Sequence, residues 1–254
     1  MIEIQSLRKE FDAKGKKTVA VDSISFKAEP GRIYGLLGPN GAGKTTTLRC
    51  IATLLRPTSG KAIVDGMDVT EKPREVRDRI GFLTGDMKLS GNLSPRELLR
   101  FFGQLNHLDQ KTIEERTEWL SSYLGMDEFL DRPVAKLSTG MTQKATIAVS
   151  LIHDPNIIMF DEPTSGLDIL AAKTVVDFLN DSKEKGKTVI LSTHIMSEAE
   201  KLCDTIGILL NGELVAEGSQ AELIERYQKP NLEEVFFGLA KEKGTINQGE
   251  NANA

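Results

Sequence analysis

The chain has 254 residues, 39% hydrophobic and 27% charged, which is an ordinary composition for a folded domain with its own core. Its 32 basic and 37 acidic side chains give a formal net charge of −5, so overall charge offers no case for nucleic-acid binding. Two cysteines, Cys50 and Cys203, exclude a disulfide framework. No apolar run reaches the ~18–20 residues that span a bilayer, and the N-terminus lacks the pattern of a signal peptide. We therefore expect a cytosolic chain that would serve a membrane only as a peripheral subunit.

The first third of the chain favours strands, with one helix among them. Short β-prone runs predict strands over residues 2–7, 18–28, 32–37, 61–65 and 80–84. The strand 32–37 runs directly into a glycine-rich loop, and apolar residues at helical spacing predict a helix that starts near Gly43.

A helical block follows at about 87–150. It contains a strong start signal, in which Ser94 is the N-cap, Pro95 the first helical residue and Glu97 the third residue after the cap. Strands return at 157–161, 188–193, 205–210 and 213–216, and the last two are joined by the turn Asn211-Gly212. Further helices are predicted over 169–185, 197–203, 219–227 and 231–242.

This order predicts one α/β domain over residues 1–240. Strands that alternate with helices favour a largely parallel sheet, into which the helical block is inserted. The remaining residues, 241–254, form a polar tail that we expect to be disordered.

The glycine-rich loop fits the pattern G-x-x-x-x-G-K-[ST] between a strand and a helix. It reads Gly38-Pro39-Asn40-Gly41-Ala42-Gly43-Lys44-Thr45-Thr46. Glycines let backbone N–H groups cradle phosphate oxygens, and the helix that follows points its positive end at the same phosphates. Lys44 would reach the β- and γ-phosphates, and the Thr45 hydroxyl would ligate Mg²⁺. The loop therefore predicts binding of a nucleoside triphosphate.

Two carboxylates, Asp161 and Glu162, close the apolar strand at 157–161. Ligands of α/β proteins bind at the carboxyl ends of the strands, so both side chains are expected beside the loop. Asp161 is the candidate Mg²⁺ ligand and Glu162 the candidate base for the attacking water. A strand that ends in two acids is unremarkable on its own, and only the phosphate loop gives the pair this meaning.

With these motifs, the sequence resembles the ATP-binding cassette of an ABC transporter over residues 1 to about 240. Leu137-Ser138-Thr139-Gly140-Met141 resembles the family signature LSGGQ, and Asp168 lies in the segment that resembles the D-loop. His194 matches the switch histidine, and Phe11 stands where the family places an aromatic that stacks on adenine. Taken alone, Phe11 is more typical of a core residue and His194 of a structural histidine. Their order relative to the phosphate motifs favours the functional interpretation.

The resemblance implies a fold, cofactors and partners. The fold is a P-loop NTPase core with a mostly parallel sheet, an N-terminal antiparallel β subdomain and an inserted helical subdomain. The cofactors are ATP and Mg²⁺. Two copies of the chain would pair head to tail, with Ser138, Thr139 and Gly140 facing the γ-phosphate held by the other copy. The partner would be an integral membrane permease at the cytoplasmic face of the plasma membrane.

Two departures from the family pattern concern the site. Gly85 stands where the family usually has a glutamine that ligates Mg²⁺, and the neighbouring Asp86 is the candidate replacement. The signature has Thr139 and Met141 in place of glycine and glutamine. Both departures resemble the ATPase subunits of two-component bacterial sodium exporters, which are close kin to drug-export cassettes.

The leading hypothesis is an ATPase subunit that powers export of a sodium ion or drug-like compound through a separate permease. A soluble ABC ATPase of translation or DNA repair is the second, although such proteins usually carry two cassettes or a long coiled-coil insertion. A P-loop kinase or GTPase is the third, and the signature and His194 argue against it.

Overall fold

The computed structural model describes residues 1–13, 15–85 and 87–245, which form two sheets with helices around them. The strands are β1 (Ile2–Ala13), β2 (Lys16–Ala28), β3 (Arg32–Leu37), β4 (Ser59–Val64), β5 (Met67–Asp68), β6 (Ile80–Leu83), β7 (Ile157–Asp161), β8 (Thr188–Thr193), β9 (Thr205–Leu210) and β10 (Glu213–Gly218). The helices are α1 (Lys44–Ile51), α2 (Pro73–Arg77), α3 (Pro95–Leu105), α4 (Gln110–Leu124), α5 (Thr139–Leu151), α6 (Ile169–Glu184), α7 (Met196–Leu202), α8 (Gln220–Tyr227) and α9 (Leu232–Glu242).

The larger sheet has the order β10-β9-β3-β8-β7-β6 and is parallel except for its edge strand β10. Strands β7 and β8 are buried along their whole length, as expected for a parallel sheet that is covered on both faces. The carboxyl ends of β3, β7 and β8 therefore meet at one edge, which is where the loop after β3 begins.

The smaller sheet, in the order β2-β1-β4-β5, is antiparallel. Its strand β1 continues to Ala13, whereas the prediction ended it at residue 7. The prediction stopped early because a bulge interrupts the alternation of apolar and polar residues. Ser6 has a φ of 47°, and the pairing register of β1 shifts across it with both β2 and β4. A bulge adds an unpaired residue and hides the period of two on which the prediction relied.

Three apolar clusters hold these layers together. The first lies between the smaller sheet, α1 and the parallel sheet and includes Ile4, Leu48 and Met159. The second joins the other face of the parallel sheet to α3–α6, and the third packs α8 and α9 on β9 and β10. Burial of this apolar surface is the main force that stabilises the arrangement.

The start signal at Ser94 is confirmed. The Ser94 hydroxyl accepts from the Glu97 N–H at 3.3 Å, and the Glu97 carboxylate accepts from the Ser94 N–H at 2.8 Å. The same reciprocal pair, Ser219 and Glu222, starts α8. Each pair satisfies backbone donors that a helix start leaves without partners.

The predicted fold is confirmed, with two elements that the sequence did not predict, the two-residue strand β5 and the single-turn helix α2. At the C-terminus, α9 continues to Glu242, and the Thr245 N–H donates to the Ala240 carbonyl at 2.9 Å. Residues 246–254 of the predicted tail lie outside the described part of the chain. Within that part, no helix has the length and apolar character needed to cross a membrane.

Candidate functional site

The candidate phosphate-binding loop lies between the end of β3 and the start of α1, at the carboxyl edge of the parallel sheet. Neighbouring segments brace it: the Gly38 N–H donates to the Thr193 carbonyl at 3.3 Å, and the Gly212 N–H donates to the Ala42 carbonyl at 3.0 Å. A cavity of about 130 Å³ opens in front of it, lined by Ala20, Glu162 and residues 40–46. The loop is thus a fixed concave surface of backbone.

The glycine at position 43 is required by geometry. It has a φ of 104°, and a Cβ there would lie 2.4 Å from the Ala20 carbonyl oxygen. Gly43 has no side chain with which to cap α1, so the first N–H groups of that helix keep their donors for another partner. A helix start of this kind suits phosphate oxygens.

Lys44 is the first residue of α1, and its side chain is only 4% exposed. Its ammonium donates to the carbonyls of Gly38 at 2.7 Å and Pro39 at 3.1 Å. Burial lowers the pKa of Lys44, while the carboxylates of Glu162 and Asp161 oppose that shift. The loop therefore holds a cation at its centre, where an anionic ligand would be neutralised.

Glu162 connects the parts of the site that come from three strands. Its Oε1 lies 3.6 Å from the Lys44 ammonium and 3.1 Å from Nδ1 of His194. The structure thus brings together residues predicted from β7, from the loop after β3 and from the segment after β8. Glu162 is partly exposed and His194 is exposed, so both side chains can reach a ligand in front of the loop.

The backbone of Glu162 is strained. Its φ of 51° lies in the left-handed region, which is costly for a residue with a Cβ. Hydrogen bonds hold it there: the Glu162 N–H donates to the Ser192 carbonyl at 3.1 Å and lies 3.2 Å from the Ser192 hydroxyl, and the Ser165 N–H donates to the Glu162 carbonyl at 3.1 Å. The strain turns the chain sharply after β7 and directs the carboxylate toward the loop.

Asp161 and Thr45 are the candidate ligands of a Mg²⁺ that would be shared with phosphate, and Thr45 lines the loop cavity. Asp161 is buried, and its Oδ1 accepts a hydrogen bond from the Ser192 hydroxyl, which leaves Oδ2 as a candidate ligand. The described residues contain no cluster of three or more His, Cys, Asp or Glu side chains that would form a metal site by itself. Mg²⁺ typically takes one or two protein oxygens together with substrate phosphates and water, so this sparse set suits it.

Ser192 is a candidate site residue that the sequence did not reveal. It is fully buried and stands directly opposite Asp161 in the parallel register of β7 and β8. Its hydroxyl donates to Asp161. The signal was a polar side chain in an apolar strand, but its partner depends on strand pairing that a sequence pattern does not give.

The signature residues lie apart from the loop of their own chain. Ser138 is the N-cap of α5, where its hydroxyl accepts from the Met141 N–H at 3.3 Å. Ser138 and Thr139 are exposed, and neither they nor Gly140 line the cavity before the loop. A Cβ on Gly140 would lie 3.6 Å from Oδ2 of Asp168, so the signature and the D-loop segment are neighbours.

Phe11 and Asp86 are the last two residues predicted to belong to the site. Phe11 lies on β1 and is 39% exposed, with the Lys9 ammonium 5.1 Å from its ring centroid. It does not line the loop cavity, although the paired strand β2 contributes Ala20 to that cavity. Asp86 lies outside the described residues.

Comparisons with known proteins agree with this geometry. The model of the family described as "ABC transporter" matches residues 21–165. The chain is 41% identical over 238 residues to the ABC transporter ATP-binding protein NatA of Bacillus subtilis (strain 168), which covers 93% of this chain and 97% of the relative.

It is also 37% identical over 236 residues to the Nod factor export ATP-binding protein I of Ralstonia nicotianae, with 93% of this chain and 72% of the relative covered. Among solved structures, the ATP-binding subunit of an ABC transporter superposes with a TM-score of 0.87 at 28% identity and covers 94% of this chain and 99% of its own.

Proposed function

The chain belongs to the ABC transporter family as an ATP-binding subunit with ATPase activity, and from that premise we propose how it works. Two copies dimerise around ATP and power export of a substrate through a separate membrane permease. The observation that carries the hydrolytic part of the proposal is the convergence of Lys44 and His194 on one carboxylate oxygen of Glu162, beside a loop of phosphate-binding geometry.

Each residue has a role in hydrolysis under this proposal. The loop N–H groups and Lys44 hold the β- and γ-phosphates, and Phe11 stacks on the adenine. Thr45 and Asp161 would hold Mg²⁺, which when bound neutralises the charge that develops on the phosphates. Glu162 orients the attacking water and accepts its proton, and His194 contacts the γ-phosphate and the Glu162 carboxylate.

Dimerisation is supported by the surface around the signature. Ser138 and Thr139 are exposed donors at a helix start that do not line their own chain's loop cavity. Next to Asp168, the side chains of Ile169 and Leu170 are 88% and 78% exposed. Exposed apolar side chains beside unused donors are typical of a surface that another subunit covers. We propose a second copy of this chain, with ATP between its loop and this signature.

The proposed permease contact is a groove at the end of β6. It has a volume of about 430 Å³ and is lined largely by apolar side chains, among them Phe82, Met87 and Phe102. Leu54 on the same groove, and Phe101 and Leu105 on α3, are more than half exposed. The groove includes Thr84, which in the sequence precedes Gly85, the position where the family pattern places the link to the membrane subunit. An amphipathic segment of the permease is the occupant that this lining fits.

The proposed substrate, location and role of Asp86 come from the resemblance to export ATPases. The substrate would be a sodium ion or drug-like compound, and the chain would lie peripherally on the cytoplasmic face of the plasma membrane. Asp86 would complete the Mg²⁺ site. If so, Asp86→Ala raises the Mg²⁺ concentration that half-saturates hydrolysis, and an unchanged Mg²⁺ dependence would reject that role. The alternative function is that of a soluble ABC ATPase without a transport role.

The deciding experiment isolates the tagged chain from its native cell in mild detergent and identifies its partners by mass spectrometry. We expect a polytopic membrane protein whose recovery falls in a Leu54→Asp variant, because Leu54 lines the groove and is exposed. Phe237→Asp, which changes an exposed aromatic residue on α9, is the matched control and should leave recovery unchanged. Ribosomal or DNA-repair partners without a membrane protein would favour the soluble alternative.

A further inference from the structure

A carboxylate outside the predicted site joins the two segments that carry Glu162 and His194. Glu198 lies in the first turn of α7 and is partly buried. Its Oε1 accepts a hydrogen bond from the Thr164 hydroxyl at 2.6 Å, and its Oε2 accepts one from the Thr193 hydroxyl. Thr164 follows Glu162 by two residues, and Thr193 immediately precedes His194.

Both threonines are built into the turns that orient the two site residues. The Leu167 N–H donates to the Thr164 carbonyl at 3.1 Å, in the turn that begins at the strained Glu162. On the other segment, the Ile195 N–H donates to the Thr193 hydroxyl at 3.0 Å. This hydrogen bond closes a tight turn that has His194 at its centre. A displacement of either threonine would therefore move the neighbouring site residue.

A carboxylate suits this position because two hydroxyls donate to it at once. An ionised glutamate has two acceptor oxygens, and each is used by one threonine. Hydrogen bonds to an ionised acceptor are stronger than those between neutral groups, so the two segments are joined more firmly than an amide would join them.

We propose that Glu198 is a positioning residue that fixes Glu162 and His194 relative to each other, acting through Thr164 and Thr193. The contact it maintains is the 3.1 Å approach of His194 Nδ1 to Glu162 Oε1. This inference rests on the proposed function, because it concerns the step in which Glu162 and His194 act. Small displacements of catalytic groups cost up to about 10²-fold in rate.

The first test compares Glu198→Ala with Glu198→Gln in a steady-state ATPase assay. We expect Glu198→Ala to lower kcat by about 10- to 100-fold while KM for ATP stays within about twofold, because Glu198 does not line the cavity in front of the phosphate loop. Glu198→Gln keeps one acceptor oxygen and should recover part of the loss. Glu200→Ala, on the same helix α7, is the matched control and should retain wild-type kcat.

A double-mutant cycle separates positioning from general destabilisation. If Glu198 acts through the Glu162–His194 pair, Glu198→Ala should cost far less in a His194→Ala background than in the wild type. Equal costs in both backgrounds, or a kcat for Glu198→Ala within twofold of the wild type, would overturn the proposal. Should Glu198→Ala fail to fold, Thr164→Val removes one of the two hydroxyl donors at similar volume, and the same cycle applies to it.

The failure of this inference is distinguishable from failure of the proposed function. If Glu162→Gln abolishes hydrolysis and His194→Ala slows it measurably while Glu198→Ala has no effect, only the role of Glu198 is wrong. If Glu162→Gln hydrolyses ATP at the wild-type rate, the proposed roles in hydrolysis are wrong before Glu198 is considered.

Discussion

The phosphate-binding loop and the signature segment both offer donors at the start of a helix, but their surroundings differ. The loop is braced by Thr193 and Gly212, and its lysine is buried against carbonyls and a carboxylate of the same chain. The signature is exposed at Ser138 and Thr139, and the apolar residues near it are uncovered. One half of the proposed site is thus assembled within the chain, whereas the other half is presented for a second surface.

The largest effect is expected from Glu162→Gln, which changes the assembled half without altering its shape. Loss of the base should lower kcat by on the order of 10³-fold, while ATP still binds. The protein should then accumulate as an ATP-dependent dimer, measured by light scattering after size exclusion. Wild-type turnover would reject Glu162 as the base.

Lys44→Ala tests whether the assembled half alone holds the nucleotide. Removing the buried cation takes away its charge-assisted bonds to phosphate, so the affinity of the monomer for ATP should fall about 100-fold. Calorimetry at protein concentrations that keep the chain monomeric measures it. Unchanged affinity would contradict the interpretation of the loop.

Ser138→Ala tests the presented half, and its effect should be confined to the dimer. ATP affinity of the monomer should stay within about twofold, while the ATP-dependent dimer of a Glu162→Gln background should dissociate about tenfold more readily. A loss of monomer affinity as large as that of Lys44→Ala would mean that the signature contacts the nucleotide of its own chain.

Ile169→Asp examines the apolar part of the same presented surface. Because Ile169 is 88% exposed, a charge there should leave the free energy of unfolding of the monomer within about 0.5 kcal/mol. The dimer should weaken several-fold, since a buried carboxylate would lack a partner. The control is Glu128→Ala, which changes an exposed charged side chain outside the segment of Asp168, Ile169 and Leu170. Equal dimerisation in Ile169→Asp and Glu128→Ala would place the contact elsewhere.

The assembled half was largely predictable from the sequence, because its signals are local. The glycines and Lys44 are contiguous, and the buried run at 157–161 ends directly in the two acids. The contacts that hold these residues in place were not predictable. Ser192 faces Asp161 only through the register of two parallel strands, and Glu198 joins residues that are 34 and 5 positions away.

The fold shows the same division between local and distant information. Strands with a clean apolar pattern were predicted close to their observed bounds, as were helices with capping signals such as Ser94. The bulge at Ser6 and the single turn of α2 were not, because each depends on pairing or packing with distant segments. The division of the strands into a parallel and an antiparallel sheet was predicted, but only from the resemblance to the family, because no local pattern gives it.

The left-handed backbone at Glu162 sets folding against activity at a single position. Glycine adopts that conformation without the penalty of a Cβ. The free energy of unfolding of Glu162→Gly should therefore exceed that of a protein with a Cβ at this position by about 0.5–1 kcal/mol, after the entropy of glycine is deducted. Hydrolysis should nevertheless be lost. A thermal melt compared with Glu162→Gln, which keeps the Cβ, measures the gain, and a glycine variant no more stable than the glutamine variant would refute it. Selection for robustness alone would therefore remove the proposed catalytic base, and a library of this protein ranked by melting temperature would favour a variant that lacks it.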